Sequence, residues 1–496
     1  MTLIKEYFEI TKKHIADYGA DTIIFMQVGA FYEVYGQMNK QNEIIKSRIL
    51  DFSKVCDLNV VEKKTCIDTN DVVMAGFKDH LLDKYVKKMQ DAGFTIAVYS
   101  QDEQCPGTSR SLLGIFSPGT YFSLDTESIT NNTCCIWIEV KQPMLKHTNK
   151  TVYVGVSQID IFTGQTSIME YNEIYINNPT TYDELERFIS IYNPSESIII
   201  TNMSECEIDD IVSYTNIHSK SIHFVRLLDN ETNTNVKRAL NCEKQTYQTQ
   251  LLNKFYQIDD ITVFMSLFND NVFATQSFCY LLDFIYQHNP NLINKASVPI
   301  LENTSDKLIL ANHSLKQLNI IDDNNYKGKY SSVVKMLNEC ITAMGKRKFA
   351  HNFFNPTTNT ESLEKEYKIT SDLLQNKDIY LNIKTILYSF KDIPKLNRQI
   401  MLQKISPKAL YQLYSSLLSA KTLYNSVTKI PQLYDYLSSI IPDFGNLLVD
   451  IDSITDYINS VLIIELCKDI DNIPKTDNVF IQKNVDTELD TQFETL

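Results

Sequence analysis

Apolar side chains along this chain recur with two periods, and the period changes with position. Leu3, Ile4, Tyr7 and Phe8 share the spacing of one helical face, which predicts an opening helix closed by Lys12 and Lys13. Ile23, Ile24 and Phe25 then read as a strand, Gly29 allows a turn, and Phe31-Tyr32-Glu33-Val34-Tyr35 restarts an extended segment. Side chains alternate there, so Phe31 and Glu33 project to one side and Tyr32 and Val34 to the other. A second helix is expected over 42–52 and a strand over 72–75. A third helix is expected over 79–92, with the apolar stripe Leu81, Leu82, Tyr85, Val86 and Met89 and Gly93 as its cap. Phe94 to Tyr99 and Leu112 to Phe122 complete a mixed sheet, and such alternation of strands and helices describes one small α/β domain.

A polar break over 125–132 follows. Cys134 to Val140, Val152 to Phe162 and Gln165 to Glu170 read as three strands with Thr163-Gly164 as a tight turn; a helix over 182–192 and a buried strand over 197–200 come next. From about Leu240 the period becomes helical. Phe278, Leu281, Leu282 and Ile285 form one stripe, 332–353 reads as one long helix stopped by Asn355-Pro356, and Ser406-Pro407 is a cap with proline in the first turn. The clearest amphipathic stripe is Leu447, Leu448, Ile451, Ile454, Ile458, Val461 and Leu462. Leu318-Asn319-Ile320-Ile321, ahead of the polar stretch 322–330, is the expected join within the helical half.

Composition narrows the class without deciding it. At 496 residues there is room for three or four domains; 43% hydrophobic and 22% charged residues suit a globular chain, and no apolar run is long enough to span a bilayer. Lys5 and Glu6 fall too early for a secretory leader, so an intracellular setting is expected. Ten cysteines at irregular spacing, with no CxxC, speak against a zinc ribbon and against a disulfide framework. His80 has no second ligand at suitable spacing and reads as a helix-start histidine; no metal site is expected. The net charge of −14 excludes coating of nucleic acid by charge alone. Residues 1–120 carry fourteen basic and sixteen acidic side chains, a net −2, so any phosphate contacts must be local. Lys84, Lys87 and Lys88 on the polar side of the third helix, with Lys12 and Lys13, are the candidates for gripping a DNA backbone.

The stretch Phe25 to Tyr35 resembles the Gly-Asp-Phe-Tyr-Glu segment of the mismatch-recognition domain of the MutS family. Val73-Met74-Ala75-Gly76-Phe77 with His80, Ser117-Pro118-Gly119-Thr120, Val152-Gly155 to Thr163-Gly164, Thr342 to Arg347 with Asn355-Pro356, and Phe480-Ile481 to Asp490 resemble later family segments in the family's order. Ala30 stands where the family usually has Asp, and Gln27 where it often has Arg. The resemblance implies a multidomain α/β plus all-α chain. A mismatch-recognition α/β domain would occupy 1–124, a ribonuclease-H-like connector 125–235, a helical core and lever domain 236–474, and the start of a clamp-like domain 475–496. It also implies that Phe31 wedges against a mispaired base, that Glu33 contacts that base, and that the partners are mismatched double-stranded DNA and a second subunit in a homodimer or family heterodimer. Such a protein would work with DNA in a nucleus, an organelle or a viral replication site.

The sequence has no GxxxxGK[ST]: Gly328-Lys329 and Gly345-Lys346 lack both the earlier glycine and the following Ser or Thr. The resemblance places the ATPase, with its ATP and magnesium, far downstream. The chain is thus expected to be the front of a longer protein or a split or truncated gene, with no catalytic residues and no cofactor of its own. Two further readings stand beside mismatch sensing. One is a structural MutS-like clamp for DNA or a partner, which the changes at Ala30 and Gln27 favour. The other is a nuclease in the connector, against which Asp160, Glu184 and Glu186 read as solvated or turn-forming carboxylates.

Overall fold

The computed structural model describes residues 3–495 except 40, 42, 46, 68–69, 102–109, 123–127, 143–148, 230–232, 258–265, 267, 294, 303–307, 309–311, 322–327 and 471–479. Parts of the expected polar break, of the stretch 322–330 and of the clamp-like start therefore lie outside the described residues. The chain forms two compact units, Met1–Glu302 and Asn303–Leu496.

The first unit holds two sheets. In the first, β1 (Thr22–Val28), β2 (Phe31–Met38), β4 (Val61–Ile67), β5 (Asn70–Lys78), β6 (Thr95–Gln101) and β7 (Arg110–Phe116) lie in the order β4-β5-β2-β1-β6-β7, with the short β3 (Ile44–Ile45) beside β2. Only β1 and β6 run parallel. Helix α1 (Leu3–Tyr18) covers one face through Ile4 and Tyr7 against Ile24, Met26, Tyr35 and Val72. Helices α2 (Ile49–Cys56) and α3 (Leu82–Asp91) cover the other through Phe52, Val86 and Met89 against Phe25, Tyr32 and Val34. Both faces are dry, which is why β1 and β2 read as nearly continuous apolar runs.

Four expectations need correction here. Helix α1 runs to Tyr18, so Lys12 and Lys13 sit within it and do not close it. The helix expected over 42–52 begins only at Ile49, because Ile44 and Ile45 are drawn into pairing with Met38 and Gln37. Strand β4 was not foreseen; its sequence is polar, and at a sheet edge only half its side chains need an apolar partner. The strand expected from Leu112 to Phe122 ends at Phe116, where Ser117 begins a turn closed by the Thr120 amide on its carbonyl.

The second sheet comprises β8 (Asn132–Lys141), β9 (Thr151–Asp160), β10 (Thr166–Ile174), β11 (Glu196–Thr201), β12 (Ser221–Arg226) and the short β13 (Ile300–Leu301), in the order β12-β11-β8-β9-β10-β13. Strands β8 to β10 form an antiparallel meander, and β11 and β12 add in parallel. Helices α4 (Asp183–Tyr192) and α5 (Glu205–Tyr214) pack on one face through Leu185, Phe188, Ile208 and Ile211. Helix α8 (Val272–His288) lies on the other and is buried on nearly all sides, since α6 (Thr234–Cys242) and α7 (Gln245–Tyr256) pack against it as well. These three helices therefore pack within the first compact unit, which runs to Glu302.

The second unit is helical. The segment expected as one helix over 332–353 is two, Val333–Leu337 and Ala343–Phe354, because the Thr342 hydroxyl accepts from the Gly345 amide at 3.0 Å and starts a new helix. Ser406 caps Pro407–Val427 as its sequence implied, accepting from the Ala409 amide. In Leu447–Val461 the stripe buries Ile451 and Ile458, but Ile454 stays 47% exposed.

Candidate nucleic-acid interface

The β1–β2 hairpin has a two-residue loop, Gly29-Ala30, between the paired Val28 and Phe31. Gly29 adopts φ +59°, the left-handed region such a loop requires. The Asp79 amide donates to the Ala30 carbonyl at 3.0 Å and ties the loop to the end of β5. Gln27 works as a staple: its Oε1 accepts from the Gln101 amide at 2.9 Å, and its carbonyl accepts from Arg110 Nε at 2.6 Å. A guanidinium thus stands beside the hairpin although residue 27 itself is uncharged.

Alternation along β2 separates its side chains as expected. Tyr32 and Val34 enter the core beneath α2 and α3, and Tyr35 the core beneath α1. Phe31, first on the strand and on the Tyr35 side, has no core to enter and is 46% exposed. Glu33, between them, is buried. Its Oε2 accepts from the Tyr35 hydroxyl and from Lys63 Nζ at 2.8 Å, and Lys63 Nζ lies 3.1 Å from the same hydroxyl and 4.7 Å from the centre of that ring. Burial, and then the carboxylate beside it, pushes the Tyr35 phenol far above its ordinary range, so it stays a donor.

The five lysines singled out from sequence are not one patch. Lys12 and Lys13 are exposed on α1; Lys84 and Lys88 are exposed on α3, with Nζ 5.7 and 5.9 Å from the Tyr85 ring, and Lys87 is half-buried. The two helices cover opposite faces of the sheet. Besides Arg110, the cations beside the hairpin include two more that periodicity passed over. Lys78 is the exposed cross-strand partner of Phe31, and Lys63 reaches Glu33 from β4. Lys78 directly follows the Val73 to Phe77 segment, but only the strand register sets it opposite Phe31.

No metal centre forms from the described residues. Asp160 accepts from the Asn131 and Phe162 amides and the Thr163 hydroxyl, which makes it the turn-forming residue expected. Glu184 pairs with Arg187, and Glu186 is buried beside Asn216, not solvated as expected. His80 bonds through its own backbone amide to Asp79. Among the described residues no helix is long and apolar enough to cross a membrane.

Comparison with known proteins assigns these features to a lineage. Family models for MutS domain I and MutS domain III match residues 2–125 and 313–488. The chain belongs to the MutS family. The domain I match takes in the whole first sheet with its hairpin, and the domain III match takes in most of the helical unit. Among MutS relatives, a mutS homolog of Acanthamoeba polyphaga mimivirus is 27% identical over 465 residues, covering 89% of this chain and 40% of its own length. The DNA mismatch repair protein MutS of Clostridioides difficile is 22% identical, covering 93% and 43%. The mitochondrial DNA mismatch repair protein mutS homolog of Sarcophyton glaucum is 24% identical, covering 96% and 51%. The chain spans about half the length of the curated relatives it matches.

Proposed function

We propose that this chain is the mismatch-sensing, DNA-binding part of a MutS-family repair protein. The observation that carries this reading is Phe31, an aromatic ring held 46% exposed at a stapled hairpin while its strand neighbours are buried. From the minor groove Phe31 stacks on an unpaired or mispaired base and Glu33 accepts a hydrogen bond from it. A mismatch costs less to unstack than a good pair, so discrimination comes from deformability more than from a base code. Lys12, Lys13, Lys84, Lys87 and Lys88 then serve as backbone contacts on the two sides of the sheet, joined by Lys78.

The order β10-β9-β8-β11-β12, an antiparallel meander extended by parallel strands, supports reading the second sheet as a ribonuclease-H-like connector. Residues 236–474 are the helical core and lever, and 475–496 the start of a clamp. ATP and magnesium belong to the family's ATPase domain, and dimerisation to the assembled protein, working on DNA inside the cell. A structural clamp without mismatch sensing is favoured by one observation, the uncharged Gln27 and Ala30 in the hairpin.

Phe31→Ala separates the two readings. A stacked aromatic contributes roughly 1–3 kcal/mol per base, so the variant should lose most of the preference for a duplex with one unpaired base over its matched counterpart, measured by fluorescence anisotropy. An unchanged ratio would sink the stacking role and favour the structural clamp.

A further inference from the structure

Glu33 is a poor base reader unless something holds it. It lies on β2 between β5 and β1 and is buried, and a buried carboxylate stays ordered only when paired. We propose that Lys63 is the positioning residue of the hairpin, fixing Glu33 Oε2 so that Oε1 is the atom presented to an unstacked base. The inference rests on the base-contact reading above and assigns it a residue two strands away.

Three features of the geometry point there. Lys63 Nζ and the Tyr35 hydroxyl both bond to Oε2, while no hydrogen bond to Oε1 comes from the described residues. The ammonium is fixed twice more, by the Tyr35 hydroxyl at 3.1 Å and by the face of the Tyr35 ring. Register places Lys63 opposite Val72, on the face that carries Glu33 and Tyr35; Val72 itself pairs with Gln37, so the extended Lys63 side chain runs along that face to reach Glu33. The pair also has no net charge. A base edge thus meets an acceptor without a bare negative charge turned toward phosphates, and removing the ammonium changes both orientation and charge at once.

The test uses the 496-residue chain and two duplexes of one sequence, with and without a single unpaired base. Lys63→Met should lower the mismatch preference about tenfold, the size expected when a charge-assisted hydrogen bond is lost, and Lys63→Arg should restore most of it. Glu33→Gln should bring the preference close to one, and the double variant should match Glu33→Gln alone, because Lys63 acts through Glu33. Circular dichroism checks folding, and Lys63→Gln replaces Lys63→Met if that variant does not fold. If Glu33→Gln keeps the parent preference, the base-contact reading fails and this proposal with it. If Glu33→Gln abolishes the preference while a folded Lys63→Met or Lys63→Gln keeps it, the reading stands and the role of Lys63 is overturned.

Discussion

Phe31 and Tyr32 are adjacent aromatic residues with opposite surroundings, and one step along a strand makes the difference. Tyr32 faces Phe77 in the core, whereas Phe31 begins the strand on the other face and looks outward. Glycines show the same dependence on place. At Gly29 the requirement is conformational: φ is +59° and a Cβ would meet nothing within 4 Å. At Gly155 it is steric, since a Cβ would lie 2.1 Å from the Phe273 carbonyl carbon and 2.3 Å from the Ala274 nitrogen, where α8 begins. Backbone cannot swing aside as a side chain can. Gly155→Ala should therefore destabilise the first unit by about 2–3 kcal/mol, and Gly29→Ala by only about 1 kcal/mol. Trp137, the one tryptophan, pairs directly with Gly155 in the sheet, so urea unfolding followed by its fluorescence reads the first effect. Equal, small shifts for both variants would show that α8 does not depend on that close approach.

At the scale of elements, the segment Thr342 to Arg347 acquires a physical meaning. Thr342 caps a helix, and Arg347, one turn on, forms a two-point pair with Asp392, both bonds at 2.7 Å and both side chains less than a fifth exposed. Asp392 in turn caps Ile393–Met401. Arg347→Ala leaves that carboxylate without its fork, which should cost roughly 2–4 kcal/mol; Arg347→Lys keeps the charge but only one contact and should lose about half as much. Far-ultraviolet circular dichroism during urea titration measures both, and a loss below about 0.5 kcal/mol for the alanine variant would count against the clamp. Local signals of this kind were legible in the sequence: the hairpin at Gly29, the cap at Ser406, the meander with its turn at Thr163-Gly164. Long-range partners were not. Periodicity tells which face a side chain occupies, but not that Lys63 reaches across β5 to Glu33 or that Ser117 meets Glu196. Strand β4 was hidden for a related reason, since Val61 to Ile67 is too polar to announce itself and is a strand because β5 offers it an edge.

Across the first unit as a whole, the two sheets are joined by a buried polar knot. Glu196 accepts from the Ser117 hydroxyl, from the Gly119 amide at 2.9 Å and from His223 Nε2 at 2.6 Å, while the Thr133 hydroxyl donates to the Gly119 carbonyl at 2.6 Å. Burial alone would raise the Glu196 carboxyl, but the bonds from His223 and Ser117 hold it below the usual carboxylate range. Nearby, His288 donates Nδ1–H to the Phe284 carbonyl at 2.8 Å, its Nε2 has no partner among the described residues, and the Tyr18 ring is 5.0 Å away. Burial pushes this imidazole from 6.5 down to about 4. In the unfolded chain it takes up a proton as pH falls through 6.5, whereas in the folded chain it stays neutral until about 4. Stability is therefore complete above 6.5 and drains away across that window, by roughly 3 kcal/mol at most. His14, buried and also shifted down, adds in the same direction. The carboxyl of Glu196 acts only at the acid end, where its contribution, present above 4.5, is lost through its lowered folded value. Urea unfolding followed by Trp137 fluorescence should show a midpoint that falls from pH 7 to about pH 5 without change in slope, and His288→Phe should remove most of that fall. A fall of the same size in both proteins would exclude His288 as the group that loosens this unit.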